Sequence, residues 1–224
     1  MELLVFTLFI WFLGLFFLRP MPSDLKEKIP SRLESFKKIQ TTFWLGVFFC
    51  TIFYFFSNGN FDQLDDTWFL IFGINNIELF SPWWFFQALT NNFIHINFVH
   101  LFSNLSLLAI LSLYERNVGA KRFLTVFLLS GIVSSVSVFF ISEDIISSGA
   151  SGGLLGIGTA YFLDNPTLKS KDYIIGIALV IFIYFFVFQE SEQASESFRI
   201  DEIGHILGII CGGIYCKLFP RDRN

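Results

Sequence analysis

The strongest constraint on this 224-residue chain is that seven of its stretches are apolar over nearly the length of a membrane crossing: 3–18, 42–56, 98–114, 123–141, 151–163, 173–188 and 203–219. A helix spans the hydrocarbon layer with about 20 residues, and fewer serve where other helices enclose it. That layer holds no water to satisfy backbone N–H and C=O groups, so such segments adopt helices that satisfy their own. The sequence therefore predicts an all-α polytopic membrane protein. Composition agrees, since 54% hydrophobic residues, 19% aromatic residues and a mean hydropathy of +0.61 do not describe a soluble domain. A net charge of −4 with scattered basic residues implies no nucleic-acid partner; the lipid bilayer is the partner of such a surface. Cys50, Cys211 and Cys216 lie in apolar runs at no metal-ligand spacing and read as packing residues.

Lysine and arginine mark the cytoplasmic side of a membrane protein. Alternating the loops across seven spans places fourteen of the fifteen basic residues on one side and leaves only Arg199 on the other. The expected arrangement is a multi-pass protein, of a bacterial inner membrane, with its carboxyl end in the cytoplasm. The first apolar stretch is preceded by Glu2 and followed by Arg19, Lys26 and Lys28, the reverse of a secretory signal, so residues 1–19 read as a retained span. The charged, proline-punctuated residues 20–41 read as a cytoplasmic linker, and residues 220–224 as a cytoplasmic tail. Residues 58–97 are too many for a simple connector. They include Pro82-Trp83-Trp84-Phe85-Phe86, suited to the headgroup boundary, and predict a structured loop lying partly in the outer leaflet.

All three histidines, His95, His100 and His205, fall at apolar segments, where an imidazole is rarely placed without a partner or a task. Gly149-Ala150-Ser151-Gly152-Gly153 sets a serine between small residues at a loop-to-helix junction. There the glycines leave the hydroxyl unshielded, and free N–H groups can stabilise an oxyanion. Small residues at helix contacts are the competing reading of this motif. His205 precedes Gly208 and Gly212 on one helical face, which suits close approach to the glycine-rich helix of Ser151. That approach would bring a neutral imidazole, the side chain best suited to take a proton near pH 7, to a hydroxyl that needs a base. His100 and Asn104 are four apart and share a face, able to donate hydrogen bonds into a common space. A metal site of three histidines is the competing reading, but no acidic or cysteine ligand shares their depth and no helical His-Glu-x-x-His is present.

With these motifs in this order, residues 42–219 resemble the rhomboid intramembrane serine proteases. The resemblance implies a rhomboid-like six-helix bundle, here with one additional N-terminal transmembrane helix. It makes Ser151 the nucleophile and His205 the general base, a dyad without aspartate. His100 and Asn104 become oxyanion donors, His95 a structural histidine, and Gly149, Gly152 and Gly208 structural residues near the site. Thr90 and Phe93 also match positions before His95. The family's usual Trp-Arg pair falls at Phe86-Gln87, which removes the usual arginine anchor of that loop, and the aromatic four residues after the nucleophile is Leu155. The implied activity is cleavage of transmembrane segments of single-span membrane protein substrates near the outer membrane face, with no cofactor and no metal. The alternatives are a rhomboid-like pseudoprotease that binds transmembrane partners without cutting them, and a transporter using intramembrane histidines.

Overall fold

The computed structural model describes residues 1–18, 30–77, 82–141, 145–164, 174 and 201–221; the expected span at 173–188 lies, Ile174 apart, outside the described residues. The helices with described bounds are α1 (Glu2–Phe17), α2 (Arg32–Lys37), α3 (Gln40–Phe56), α4 (Asp66–Phe72), α5 (Pro82–Thr90), α6 (Phe98–Val118), α7 (Ala120–Ser134), α8 (Ser151–Asp164) and α9 (Glu202–Leu218). α6 runs four residues past the expected end at Tyr114 and stops at Gly119, whose φ of +83° suits glycine and breaks the helix. α7 tightens into a 3₁₀ segment, Ser135–Phe140. Phe98–Val118 and Ala120–Phe140 are each long and apolar enough to cross a membrane, and α1 and α3 are shorter apolar helices.

α8 lies at the centre, packed by α6, α7 and α9. Glycine spacing explains why. On α9, Gly204, Gly208, Gly212 and Cys216 are buried while Ile206, Ile210 and Ile214 are exposed, so residues four apart form one narrow, side-chain-free edge. A Cβ added to Gly208 would lie 2.9 Å from the carbonyl carbon of Gly152, and one added to Gly212 would lie 2.8 Å from that of Gly156. The two backbones therefore touch. α7 completes the contact with small polar residues, Ser134 against Gly152 and Ser130 against Gly156.

The far ends of these helices are tied together by Arg122 near the start of α7. Its guanidinium forms a bidentate pair with Asp164 at the end of α8 (2.7 and 3.0 Å), donates to the carbonyl of Phe219 after α9 (2.8 Å) and shares Asp164 with the hydroxyl of Tyr114 on α6. The ends of α6, α8 and α9 and the start of α7 thus share one side of the bundle, and Ser151, His205 and His100 lie at the other. α3 joins through Glu115 of α6, whose buried carboxylate accepts the N–H groups of Thr41 (2.8 Å) and Thr42 (2.7 Å) in the first turn of α3, donors that the helix itself leaves unpaired. α1 packs on α3, with Trp11 seated over Gly46 and its indole N–H donating to the carbonyl of Phe43 at 3.0 Å. Within the stretch read as a linker, α2 starts with a reciprocal cap between Ser31 and Glu34.

Between α3 and α6 the chain forms α4, a two-residue strand β1 (Ile74–Asn75) and α5. β1 pairs antiparallel with β2 (Ile146–Ser147), Ile74 opposite Ser147. A purely helical reading omits this ribbon, which is too short to show an alternating pattern. Gln87, at the position of the missing arginine, is buried; its amide donates to the carbonyls of Leu70 (3.2 Å) and Ile71 (3.3 Å), and its oxygen accepts from Asn75 (3.3 Å). A neutral amide therefore anchors α5 to the end of α4.

Candidate active site

Ser151 is the first residue of α8, and His205 lies in the opening turns of α9. Because Gly152 and Gly208 let the two helices meet at backbone contact, the side chains just above them converge. Ser151 Oγ lies 2.7 Å from His205 Nε2. In the tautomer protonated at Nδ1, Nε2 accepts the hydroxyl proton, the arrangement a base needs to activate a serine. Both residues are half-buried, so the pair remains open to a ligand. The first N–H groups of α8, beginning with that of Ser151 itself, have no acceptor within the helix.

The other residues singled out in the sequence are distributed as follows. His100, in the first turn of α6, packs the Cε1–Nε2 edge of its ring against Gly149; a Cβ there would be 2.5 Å from both atoms, and the φ of +118° at Gly149 disfavours a side chain as well. Asn104 is buried and donates one amide hydrogen to the carbonyl of His100 (3.0 Å), keeping a second. His95 is fully buried between the rings of Phe49 and His100, at 5.1 and 5.2 Å, and neither ring nitrogen has a partner among the described residues. Burial holds its pKa well below the ordinary histidine range, and the neighbouring His100 adds to the effect. The structure thus gathers Ser151, His205, Gly149, Gly152, Gly208 and His100, with His95 behind His100 and Asn104 one turn along α6. Among the described residues no group of three or more His, Cys, Asp or Glu could hold a metal ion.

Two polar residues escaped the sequence reading. Asn91 donates to Ser135 Oγ (2.9 Å) and to the carbonyl of Gln87, and its own carbonyl accepts the N–H of Gly149 at 2.8 Å, so it fixes the approach to Ser151. Asp201 caps α9, accepting the N–H of Gly204 at 2.7 Å. An aspartate directly before an apolar helical run is a start signal, so only Asp201 was legible in advance.

The architecture and site define a class: a helical bundle with membrane-length apolar helices, holding a serine–histidine pair between two helices in backbone contact. Residues 82–221 match the rhomboid domain, and the chain belongs to the rhomboid family, which is membrane-embedded. It is 32% identical over 143 residues to rhomboid protease GluP of Bacillus subtilis (strain 168), a match covering 62% of this chain and 26% of that protein. It is 28% identical over 160 residues to a rhomboid protein of Acanthamoeba polyphaga mimivirus, covering 66% of this chain and 87% of that one. YdcA, assigned as a rhomboid protease in Bacillus subtilis (strain 168), is 28% identical over 139 residues, covering 59% of this chain and 65% of the relative. The chain thus spans about a quarter of the length of GluP.

Proposed function

We propose that the protein is an intramembrane serine endopeptidase that cleaves transmembrane segments of single-span membrane proteins near the outer membrane face by a Ser151–His205 dyad. The observation that carries this reading is the 2.7 Å contact between Ser151 Oγ and His205 Nε2 at the start of an enclosed helix. In the proposed reaction His205 takes the hydroxyl proton as Ser151 attacks the scissile carbonyl carbon, and the negative charge moves to the carbonyl oxygen. The free N–H groups at the start of α8, with side-chain donors from His100 and Asn104, stabilise that oxyanion. His205 returns the proton to the departing amine, and water attacks the acyl-serine with the same residue as base. α8 has 14 residues, about 21 Å of helix, against a hydrocarbon layer of about 30 Å. Starting a short inner helix below the surface puts the chemistry within the membrane while leaving water access from one side.

The seven-span arrangement divides into an N-terminal span (1–19), a linker (20–41) and a six-span catalytic unit (42–219), with the carboxyl end in the cytoplasm; it remains part of this proposal and is supported by the basic-residue asymmetry. Cleavage of a generic single-span substrate by the purified protein in detergent tests the function. Ser151→Ala and His205→Ala should each abolish it, with the double variant no worse than either single one because the two act as a unit. Equal cutting by wild type and Ser151→Ala refutes the assignment.

A further inference from the structure

Asp201 sits where the elements carrying the two reactive side chains meet. Its Oδ1 accepts the N–H of Gly204 at 2.7 Å, its carbonyl accepts the N–H of His205 at 3.0 Å, and its Oδ2 accepts the hydroxyls of Ser137 and, at 3.4 Å, of Ser147. Ser147 belongs to β2, four residues before Ser151, and Ser137 to the 3₁₀ segment that ends α7. One carboxylate thus joins the start of the helix that carries His205 to the strand that leads into Ser151. The fit is close, since a Cβ on Gly204 would lie 2.5 Å from Asp201 Oδ2.

Charge matters as well as geometry. His205 lies among the first N–H groups of α9, the positive end of the helix, where a nearby carboxylate is favourable. Among the described residues, the groups around it are Ser151 from α8, His100 from α6, and the acids Asp201 and Glu202 at the start of α9, with Ser134 of α7 against the adjoining Gly204. Glu202 is exposed and Asp201 half-buried, so Asp201 is the less screened of the two acids.

We propose that Asp201 is a positioning residue for the Ser151–His205 pair: it locks the start of α9 to the segment preceding Ser151 and sets a carboxylate beside His205. The inference rests on the dyad reading above and deepens it. A serine-directed fluorophosphonate reports it without a substrate: Ser151 Oγ bonds to phosphorus, the P–F bond breaks with loss of fluoride, and the hydroxyl proton passes to His205. The labelling rate of the full chain in detergent is measured across the pH range in which histidine titrates. Asp201→Asn keeps a good cap and can still pair with the serine hydroxyls, but lacks the charge. Its acid limb is expected to move to lower pH by about one unit, and its plateau to fall about tenfold as the base weakens. Asp201→Glu should restore the limb. If Asp201→Asn does not fold, Asp201→Ser, a smaller neutral cap, serves for the same measurement. An acid limb unmoved in the neutral variant, whatever its plateau, overturns the inference and leaves the dyad standing. Wild-type labelling no faster than that of Ser151→Ala overturns both.

Discussion

Gly208→Ala tests the link between backbone contact and chemistry. The added Cβ would stand 2.9 Å from the carbonyl carbon and 3.1 Å from the Cα of Gly152, with the carbonyl oxygen closer still. None of these is a side chain that can swing away. Ordinary contact begins at 3.4 Å, so the carbon alone demands 0.5 Å (3.4 − 2.9), and clearing the oxygen requires the helices to part by about 1 Å. Ser151 and His205 sit on these same two helices, so a rigid opening would stretch their 2.7 Å contact to about 3.7 Å, beyond hydrogen-bonding range. A misplacement of about 1 Å costs on the order of 10²-fold in rate. The assay is fluorophosphonate labelling or substrate cleavage in detergent, with thermal unfolding measured alongside. Gly158→Ala on α8 is the matched control: its nearest neighbour would be Leu111 Cδ2 at 3.9 Å. It should retain wild-type rates and gain up to about 1 kcal/mol from helix propensity. A folded Gly208→Ala protein with a rate within about twofold of wild type would refute the argument that backbone contact aligns the pair.

Other consequences concern stability and are measurable by unfolding in detergent. Gln87→Ala removes the buried amide that anchors α5 to the carbonyls of Leu70 and Ile71 and should cost about 1–3 kcal/mol; an unchanged midpoint would mean the loop is anchored elsewhere. Arg122→Met strands Asp164, whose side chain is only 6% exposed, and should cost about 3 kcal/mol, much of it recovered when Asp164→Leu is added. A double variant as weak as the sum of the singles would contradict that account. His95, with its pKa lowered from the ordinary 6.5 by burial, takes up a proton on unfolding. Its contribution is therefore complete above pH 6.5 and is lost as pH falls below it, and His95→Gln should flatten that part of the stability profile.

Much of the architecture was legible in the chain itself, because a 3.6-residue period and an apolar run are local properties. The helices bearing Ser151 and His205 begin at, or one residue from, their expected starts, and the spacing of Gly208 and Gly212 marked the edge by which α9 packs. The order of the serine, histidine and asparagine motifs carried the family resemblance. What the chain alone left open were pairings between residues far apart in sequence. That Gly208 meets Gly152, that the carboxylate of Glu115 caps α3 from α6, and that Ile74 pairs with Ser147 depend on how whole helices dock. Gln87 shows the limit most clearly. As a sequence it was the absence of an arginine, whereas in three dimensions it is a satisfied anchor, because hydrogen bonding depends on where the carbonyls of Leu70 and Ile71 lie rather than on the residue type alone. Asp201 likewise is, in the sequence, an acid ahead of an apolar run, and only the meeting of α9, β2 and the end of α7 bonds its carboxylate to Gly204, Ser147 and Ser137 together.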